Sequence, residues 1–160
     1  MQFGFIGIGA MGGALARNLI RAGKHVLIFD SNPSAADKVL SAGDSGKTAD
    51  SLNAIAAADV VFTSLPLPEH LESIMLGETG LLRSMKTGST YIDVSTIDPQ
   101  TARKLSDACD DSGIKFLACP LGKTPADAEK AEEPIFVGGK KSVYEEMKDI
   151  LDIIGNPVCY

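Results

Sequence analysis

Gly7-Ile8-Gly9-Ala10-Met11-Gly12 follows the apolar run Gln2–Ile6 and opens a segment of helical period. This is G-x-G-x-x-G between a strand and a helix, the context in which that pattern has physical meaning. Gly7 permits a tight turn, Gly9 lets the backbone approach a pyrophosphate, and Gly12 allows close packing of helix on strand. Ile8, Ala10 and Met11 complete the turn. The free N–H groups and positive dipole end of the helix then face an anion. The same six residues read without their context would be a glycine-rich packing turn.

The pattern around this turn predicts an α/β fold. Strands are expected at Gln2–Ile6, His25–Phe29, Val60–Ser64, Thr90–Asp93, Ile114–Ala118 and Ile135–Val137. A further strand starts within Pro157–Tyr160. Helices are expected at Met11–Arg21, Asn32–Leu40, Pro68–Met75, Pro99–Asp110 and Ser142–Ile153. Leu15, Leu19 and Ala22 are spaced for one buried face of the first helix, and Gly23 stands where a C-cap belongs. Pro33 suits a first helical turn, and Asp98 is placed to cap the helix from Pro99. In the last helix Val143, Met147, Ile150, Leu151 and Ile154 form the apolar stripe. Alternation of this kind implies a Rossmann-type, doubly wound, mostly parallel sheet with helices on both faces. Its ligands bind at the carboxyl ends of the strands. No linker or repeat divides the chain, so 1–160 reads as a single dinucleotide-binding domain.

Asp30 ends the second strand, 18 residues beyond Gly12, close to the spacing of about 20 at which an acidic residue meets the adenosine ribose. A carboxylate there accepts from the ribose hydroxyls and repels a 2′-phosphate, favouring NAD over NADP. Ser31 follows, and no arginine comes in the next several residues. The alternative is that Asp30 only organises the turn through Ser31, Asn32 and Pro33.

Composition excludes other partners. With 21 acidic against 15 basic residues and a net charge of −6, the chain offers no field for a phosphate backbone, and nucleic acid is not expected. No apolar run approaches the roughly 20 residues that span a bilayer. Cys109, Cys119 and Cys159 are odd in number and lack a C-x-x-C pair, so they read as free thiols in a reducing, cytoplasmic setting, with no metal site. Gly46-Lys47-Thr48 and Gly122-Lys123-Thr124 imitate the end of a P-loop. Ser41 and Leu117 stand where its first glycine is required, so both fail the pattern.

Phe5-Ile6-Gly7-Ile8-Gly9-Ala10-Met11-Gly12, continuing through Ala14, Ala16, Asn18 and Leu19, resembles the N-terminal signature of the β-hydroxyacid dehydrogenases. That family includes 3-hydroxyisobutyrate dehydrogenase, tartronate semialdehyde reductase and the cofactor domain of 6-phosphogluconate dehydrogenase. Ser64-Leu65-Pro66 is similar to the family's strand-end Leu-Pro, and Asp93-Val94-Ser95-Thr96-Ile97-Asp98-Pro99 to its D-x-S-T-x-x-P segment. The resemblance covers essentially the whole chain. It implies that Leu65 and Pro66 lie against the cofactor, that His70 sits beside it, that Thr96 touches the nicotinamide ribose side, and that Ser95 lies near the substrate. Taken alone, Leu65-Pro66 is a strand terminus, Ser95-Thr96 a capping pair, and His70 a solvated helix residue.

One stretch departs from the family. Where the family commonly carries Pro-Val-Ser-Gly-Gly to hold a substrate carboxylate, this chain has Pro120-Leu121-Gly122-Lys123-Thr124. Gly122 is expected to offer a backbone N–H, Lys123 a cation and Thr124 a hydroxyl, unless Lys123 is a solvated loop lysine. The resemblance implies a small anionic hydroxy acid or semialdehyde as substrate and a homo-oligomeric enzyme. Its proton-transfer lysine belongs to G-x-G-x-x-x-K-x-x-x-N, after the strand that begins near Pro157. No such stretch occurs through Tyr160, and Lys123, Lys140 and Lys141 do not match it. The expectation is a cofactor domain, inactive alone, lacking the family's all-helical substrate and dimerisation domain. A non-catalytic NAD-binding module and the cofactor domain of an imine reductase are the alternatives.

Overall fold

β1 (Gln2–Ile6) forms the centre of the molecule, pairing in parallel with β2 (His25–Phe29) on one side and β4 (Val60–Thr63) on the other. The computed structural model describes all 160 residues. Alternate side chains of a strand leave opposite faces. Phe3, Phe5, Val60 and Phe62 therefore join one apolar cluster, while Ile6 and Val61 join the other. Phe5 and Phe62 stack with ring centroids 5.3 Å apart, an offset that brings dispersion contact on top of area burial.

The seven-stranded sheet has the order β3-β2-β1-β4-β5-β6-β8. Outward from β4 lie β5 (Thr90–Asp93), β6 (Lys115–Ala118) and the short β8 (Gly138–Gly139), which is antiparallel to β6. At the other edge is β3 (Gly46–Thr48), paired with β2. Chain order reverses direction between β1 and β4, so the topological switch point lies at their carboxyl ends.

Helices cover both faces. α1 (Ala10–Arg21), α2 (Ala35–Leu40) and α7 (Lys141–Ile154) pack with the Phe3 cluster. α3 (Leu52–Ala56), α4 (Pro68–Leu76), a 3-10 turn at Leu81–Arg83 and α5 (Pro99–Asp111) pack with the Ile6 cluster. The stripe Val143, Met147, Ile150, Leu151 and Ile154 of α7 is buried, each large side chain contributing roughly 1.5–3 kcal/mol. Gly23 ends α1 at φ +73°, with its N–H on the Ile20 carbonyl and the Lys24 N–H on that of Leu19. Asp98 caps α5, accepting from the N–H groups of Gln100 and Thr101.

Several expectations are corrected. Ala22 is exposed, while nearly all of α1 from Gly12 to Ile20 is buried. The reason is that α1 packs against α2, α6 (Pro125–Glu129) and α7 as well as the sheet. The second helix starts at Ala35, not Asn32, because the Asn32 side chain accepts from Ser34 N–H and Oγ–H and makes a turn there. Gly46-Lys47-Thr48 forms the edge strand β3, which lacks the apolar pattern of a central strand. The stretch expected as a strand at Ile135–Val137 leaves the main sheet. β7 (Ile135–Phe136) pairs with β9 (Val158–Cys159) in a separate two-stranded sheet.

α6 is fastened to α1 by polar contacts that periodicity does not reveal. Glu129 accepts from the guanidinium groups of Arg17, which is buried, and Arg21. Asn18 Nδ2 donates to the Ala128 carbonyl at 2.7 Å. The Arg17 and Arg21 hydrogen bonds hold the Glu129 carboxyl down at about 2.

Candidate functional site

The glycines of the first turn divide by what surrounds them. Gly7 has φ +82°, and a Cβ there would lie 2.2 Å from the Ser64 carbonyl oxygen. A Cβ on Gly12 would lie 2.0 Å from the Gly7 carbonyl oxygen. Those two are required by the fold itself. Gly9 differs: it is exposed, and a Cβ there would meet nothing within 4 Å. It caps α1 with no side-chain hydrogen bond, and no acidic residue stands in the first turn. The leading N–H groups of the helix thus have no intrahelical acceptor and no side-chain cap.

These residues line one side of a cleft of about 890 Å³ at the switch point. That volume lies within the range of small-molecule and cofactor sites. Asp30 and Ser31 line it at the end of β2. Asp30 Oδ2 accepts the Ile8 N–H at 2.8 Å and Oδ1 accepts the Asn32 N–H at 2.8 Å. The carboxylate therefore does organise the turn. It also lines the cleft half-exposed, and each oxygen keeps acceptor capacity for a ribose hydroxyl. Ile8 is buried and contributes its N–H, not its side chain.

Across the switch point, Leu65 and Pro66 follow β4 and Ser95 and Thr96 follow β5, all four lining the cleft. His70 in the first turn of α4 joins them with Ser73 and Ile74. A chain of buried hydrogen bonds ties the two loops together. Leu65 N–H donates to Ser95 Oγ at 2.9 Å, and Ser95 Oγ–H donates to Asp93 Oδ1 at 2.7 Å. Thr63 Oγ1 also donates to Asp93 Oδ1, at 2.7 Å, and lies 2.8 Å from Tyr91 Oη. Burial raises the Asp93 carboxyl above its usual range, against the opposing hydrogen bonds from Thr63 and Ser95. The Tyr91 hydroxyl is also pushed well up, by burial and then by Asp93, so it is a donor here. Asp93 and Thr63 were not among the residues singled out from sequence. The D-x-S-T segment contains Asp93, but its work is internal: it fixes Ser95, whose single proton is already committed.

The Gly122-Lys123-Thr124 stretch departs from expectation. The Gly122 N–H donates to the Pro134 carbonyl at 3.1 Å, so it is not free for a substrate. The Lys123 N–H is taken by Glu133 Oε1 at 2.5 Å. Thr124 caps α6: its hydroxyl donates to Asp127 Oδ2, and its side chain does not reach the cleft lining. Of the three, only Lys123 lines the cleft. The physical reason is that three neighbours take the loop's donors: the Pro134 carbonyl, the fully buried Glu133 carboxylate in the 130–134 connection, and Asp127. Nothing local in sequence marks it as buried.

The thiols stand apart from this chemistry. Cys109 and Cys119 are buried and Cys159 exposed, all unpaired. Burial pushes the Cys109 thiol up to about 12, which makes it inert as a nucleophile. No helix is long and apolar enough to cross a membrane.

Residues 2–160 match the model of the NAD-binding domain of 6-phosphogluconate dehydrogenase. The chain belongs to that family. A 3-hydroxyisobutyrate dehydrogenase of Pseudomonas aeruginosa is 36% identical over 157 residues, which is 98% of this chain and 52% of that protein. Among solved structures, Psf3 in complex with NADP+ and 2-OPP superposes with a TM-score of 0.93 at 28% identity, over 99% of this chain and 56% of that one. An imine reductase of Myxococcus stipitatus superposes at 0.90 with 18% identity, covering 99% of this chain and 54% of that one, a likeness of fold alone. The chain spans about half the length of the curated relatives it matches. The uncapped N-terminus of α1 with Gly9 offers donors to an anion, and Asp30 offers acceptors at the end of β2.

Proposed function

We propose that residues 1–160 act as a single dinucleotide-binding domain of a β-hydroxyacid dehydrogenase, which moves hydride between NAD and a small anionic hydroxy acid or semialdehyde. The observation that carries this reading is Gly9. Its Cβ position opens on the cleft and is not required by internal packing, so a close backbone approach by a ligand accounts for it. Bound NAD supplies the hydride acceptor. The chain's own residues bind and orient it: Gly9 and the first turn of α1 at the phosphates, Asp30 at the adenosine ribose, Leu65, Pro66, His70 and Thr96 along the nicotinamide side. Ser95 holds the Leu65 loop in register beside the substrate.

Asp30 favours NAD over NADP, since a 2′-phosphate would meet its carboxylate and no arginine follows to neutralise it. Oxidation of a hydroxyl also needs a proton acceptor on the oxygen. The family's lysine motif does not occur in these 160 residues. The expected outcome is that the chain binds NADH, seen by calorimetry, and does not oxidise 3-hydroxyisobutyrate or glycerate in a spectrophotometric assay. Failure to bind NADH would remove the cofactor assignment, and robust turnover by these residues would overturn the proton-transfer argument.

A further inference from the structure

Asp93 is a buried carboxylate with no cation beside it. It ends β5 with 1% of its surface exposed. Its partners are neutral: the Thr63 hydroxyl, the Ser95 hydroxyl and the Ser95 N–H, all donating to Oδ1. Oδ2 is buried and has no partner. Three donors converging on one oxygen suit a carboxylate, whereas a carboxylic acid would need an acceptor for its proton. Burial works against the charge and these hydrogen bonds support it. A buried charge is ordinarily paired, so this one is left uncompensated within the chain.

The titratable groups around it add no counter-charge. Tyr91 lies behind Thr63, and Cys119 follows β6. Burial and then the Asp93 charge push both upward, so both are neutral. Cys109 of α5, which faces Tyr91, is neutral as well. On the cleft side stand His70 and Lys123, neither hydrogen-bonded to Asp93.

Asp93 stands directly behind the cleft wall. Val94, Ser95 and Thr96 line the cleft, and Asp93 is joined to that wall through the Ser95 hydroxyl. On the cofactor placement proposed above, this wall meets the nicotinamide half. Oxidised and reduced cofactor share the adenine, the riboses and the phosphates. They differ at the nicotinamide ring, which is cationic when oxidised and neutral when reduced. An anion buried behind the wall acts on that difference through a medium less polarisable than water. We infer that Asp93 sets the redox preference of the cofactor site, its carboxylate favouring the cationic, oxidised nicotinamide over the neutral, reduced one. The inference rests on the cofactor reading above and adds the residue that separates the two redox states. Asp30, at the adenosine end, meets a part common to both and has no such effect.

The test is calorimetry of NAD+ and NADH on the chain, as wild type and Asp93→Asn. Asparagine keeps an oxygen for Thr63 and Ser95 and removes the charge. The ratio of NAD+ to NADH association constants is expected to fall by about tenfold in Asp93→Asn, mostly through weaker NAD+ binding. A role confined to packing the loops would change both affinities alike, and a ratio within about twofold of wild type overturns the proposal. Ser95→Ala keeps the charge and should keep the ratio. A fall there as large as in Asp93→Asn also overturns the proposal, assigning the discrimination to the hydroxyl.

A second measurement needs no substitution. The Asp93 carboxyl carbon resonance is followed against pH in the cofactor-free chain, with NAD+, and with ADP-ribose, which lacks the nicotinamide. Coupling between sites is reciprocal, so NAD+ should lower the Asp93 midpoint by about one unit, the equivalent of tenfold. ADP-ribose should not lower it. A midpoint unmoved by NAD+, or lowered equally by ADP-ribose, overturns the proposal. If neither NAD+ nor NADH binds the wild type, the cofactor reading itself fails, and the proposal with it.

Discussion

Asp30 Oδ2 accepts the Ile8 N–H at 2.8 Å, so the carboxylate proposed to meet the adenosine ribose also clamps the glycine turn from the end of β2. On the proposed cofactor placement, structure and cofactor choice are coupled through one side chain. Asp30→Ala is expected to weaken NADH by roughly tenfold while leaving NADPH nearly unchanged, narrowing the preference. It should also destabilise the fold by about 1–3 kcal/mol, because a buried N–H loses a charged acceptor. Calorimetry with both cofactors and a urea titration check the two effects.

Gly9 and Gly12 are expected to fail differently. Gly12→Ala places a Cβ 2.0 Å from the Gly7 carbonyl, a clash with backbone that cannot rotate away. It should cost about 3 kcal/mol or more, or prevent folding. Gly9→Ala meets nothing within 4 Å and should change stability by about 1 kcal/mol or less, the effect of a poorer cap. It should nonetheless weaken NADH strongly. A loss of Tm as large in Gly9→Ala as in Gly12→Ala would contradict this division.

Ser95→Ala removes the link between Leu65 N–H and Asp93. Leu65 N–H loses its acceptor and Asp93 one of its donors, so about 1–3 kcal/mol of stability should go. NADH affinity should fall as well, since the Leu65 loop is freed. Faster amide exchange at Leu65, with β4 itself still protected, would report the released loop.

Glu129 links stability to pH. Its carboxyl is held at about 2 by Arg17 and then Arg21, below the unfolded value of 4.5. A depressed folded value means stability that is fully present above 4.5 and is lost as pH falls toward 2. The side chain is 36% exposed, so solvent screening limits the effect to about 1 kcal/mol. Glu129→Gln should lower the urea midpoint at pH 6 and converge on wild type near pH 2. Asp93 acts in the opposite sense. Its raised carboxyl favours folding with the proton on, and that contribution is lost as pH rises from 3.8 through its folded value.

The parts of the fold that obey local rules were legible in the sequence. The strands β1, β2, β4, β5 and β6, the stripe of α7 and the Asp98 cap follow from apolar period and capping chemistry. The glycine turn could be read with its three separate roles because backbone sterics act within a few residues. β3, α3 and α6 were not legible. They are three to five residues long, with no span for a period to show, and are held by neighbours distant in sequence.

A doubly wound nucleotide-binding sheet, the glycine turn after β1 and the acidic residue ending β2 follow from the order of residues alone. Each depends on residues within one β-turn-α unit or its neighbour. How the hydroxyls and amides beyond β5 and β6 are used depends instead on packing between segments distant in the chain. Asp93 and Glu133 are buried by the packing of the whole domain, and each draws neighbouring donors onto one of its oxygens. Glu133 takes the Lys123 N–H and Asp93 the Ser95 proton, the Gly122 N–H goes to the Pro134 carbonyl, and of that loop the Lys123 side chain is left lining the cleft.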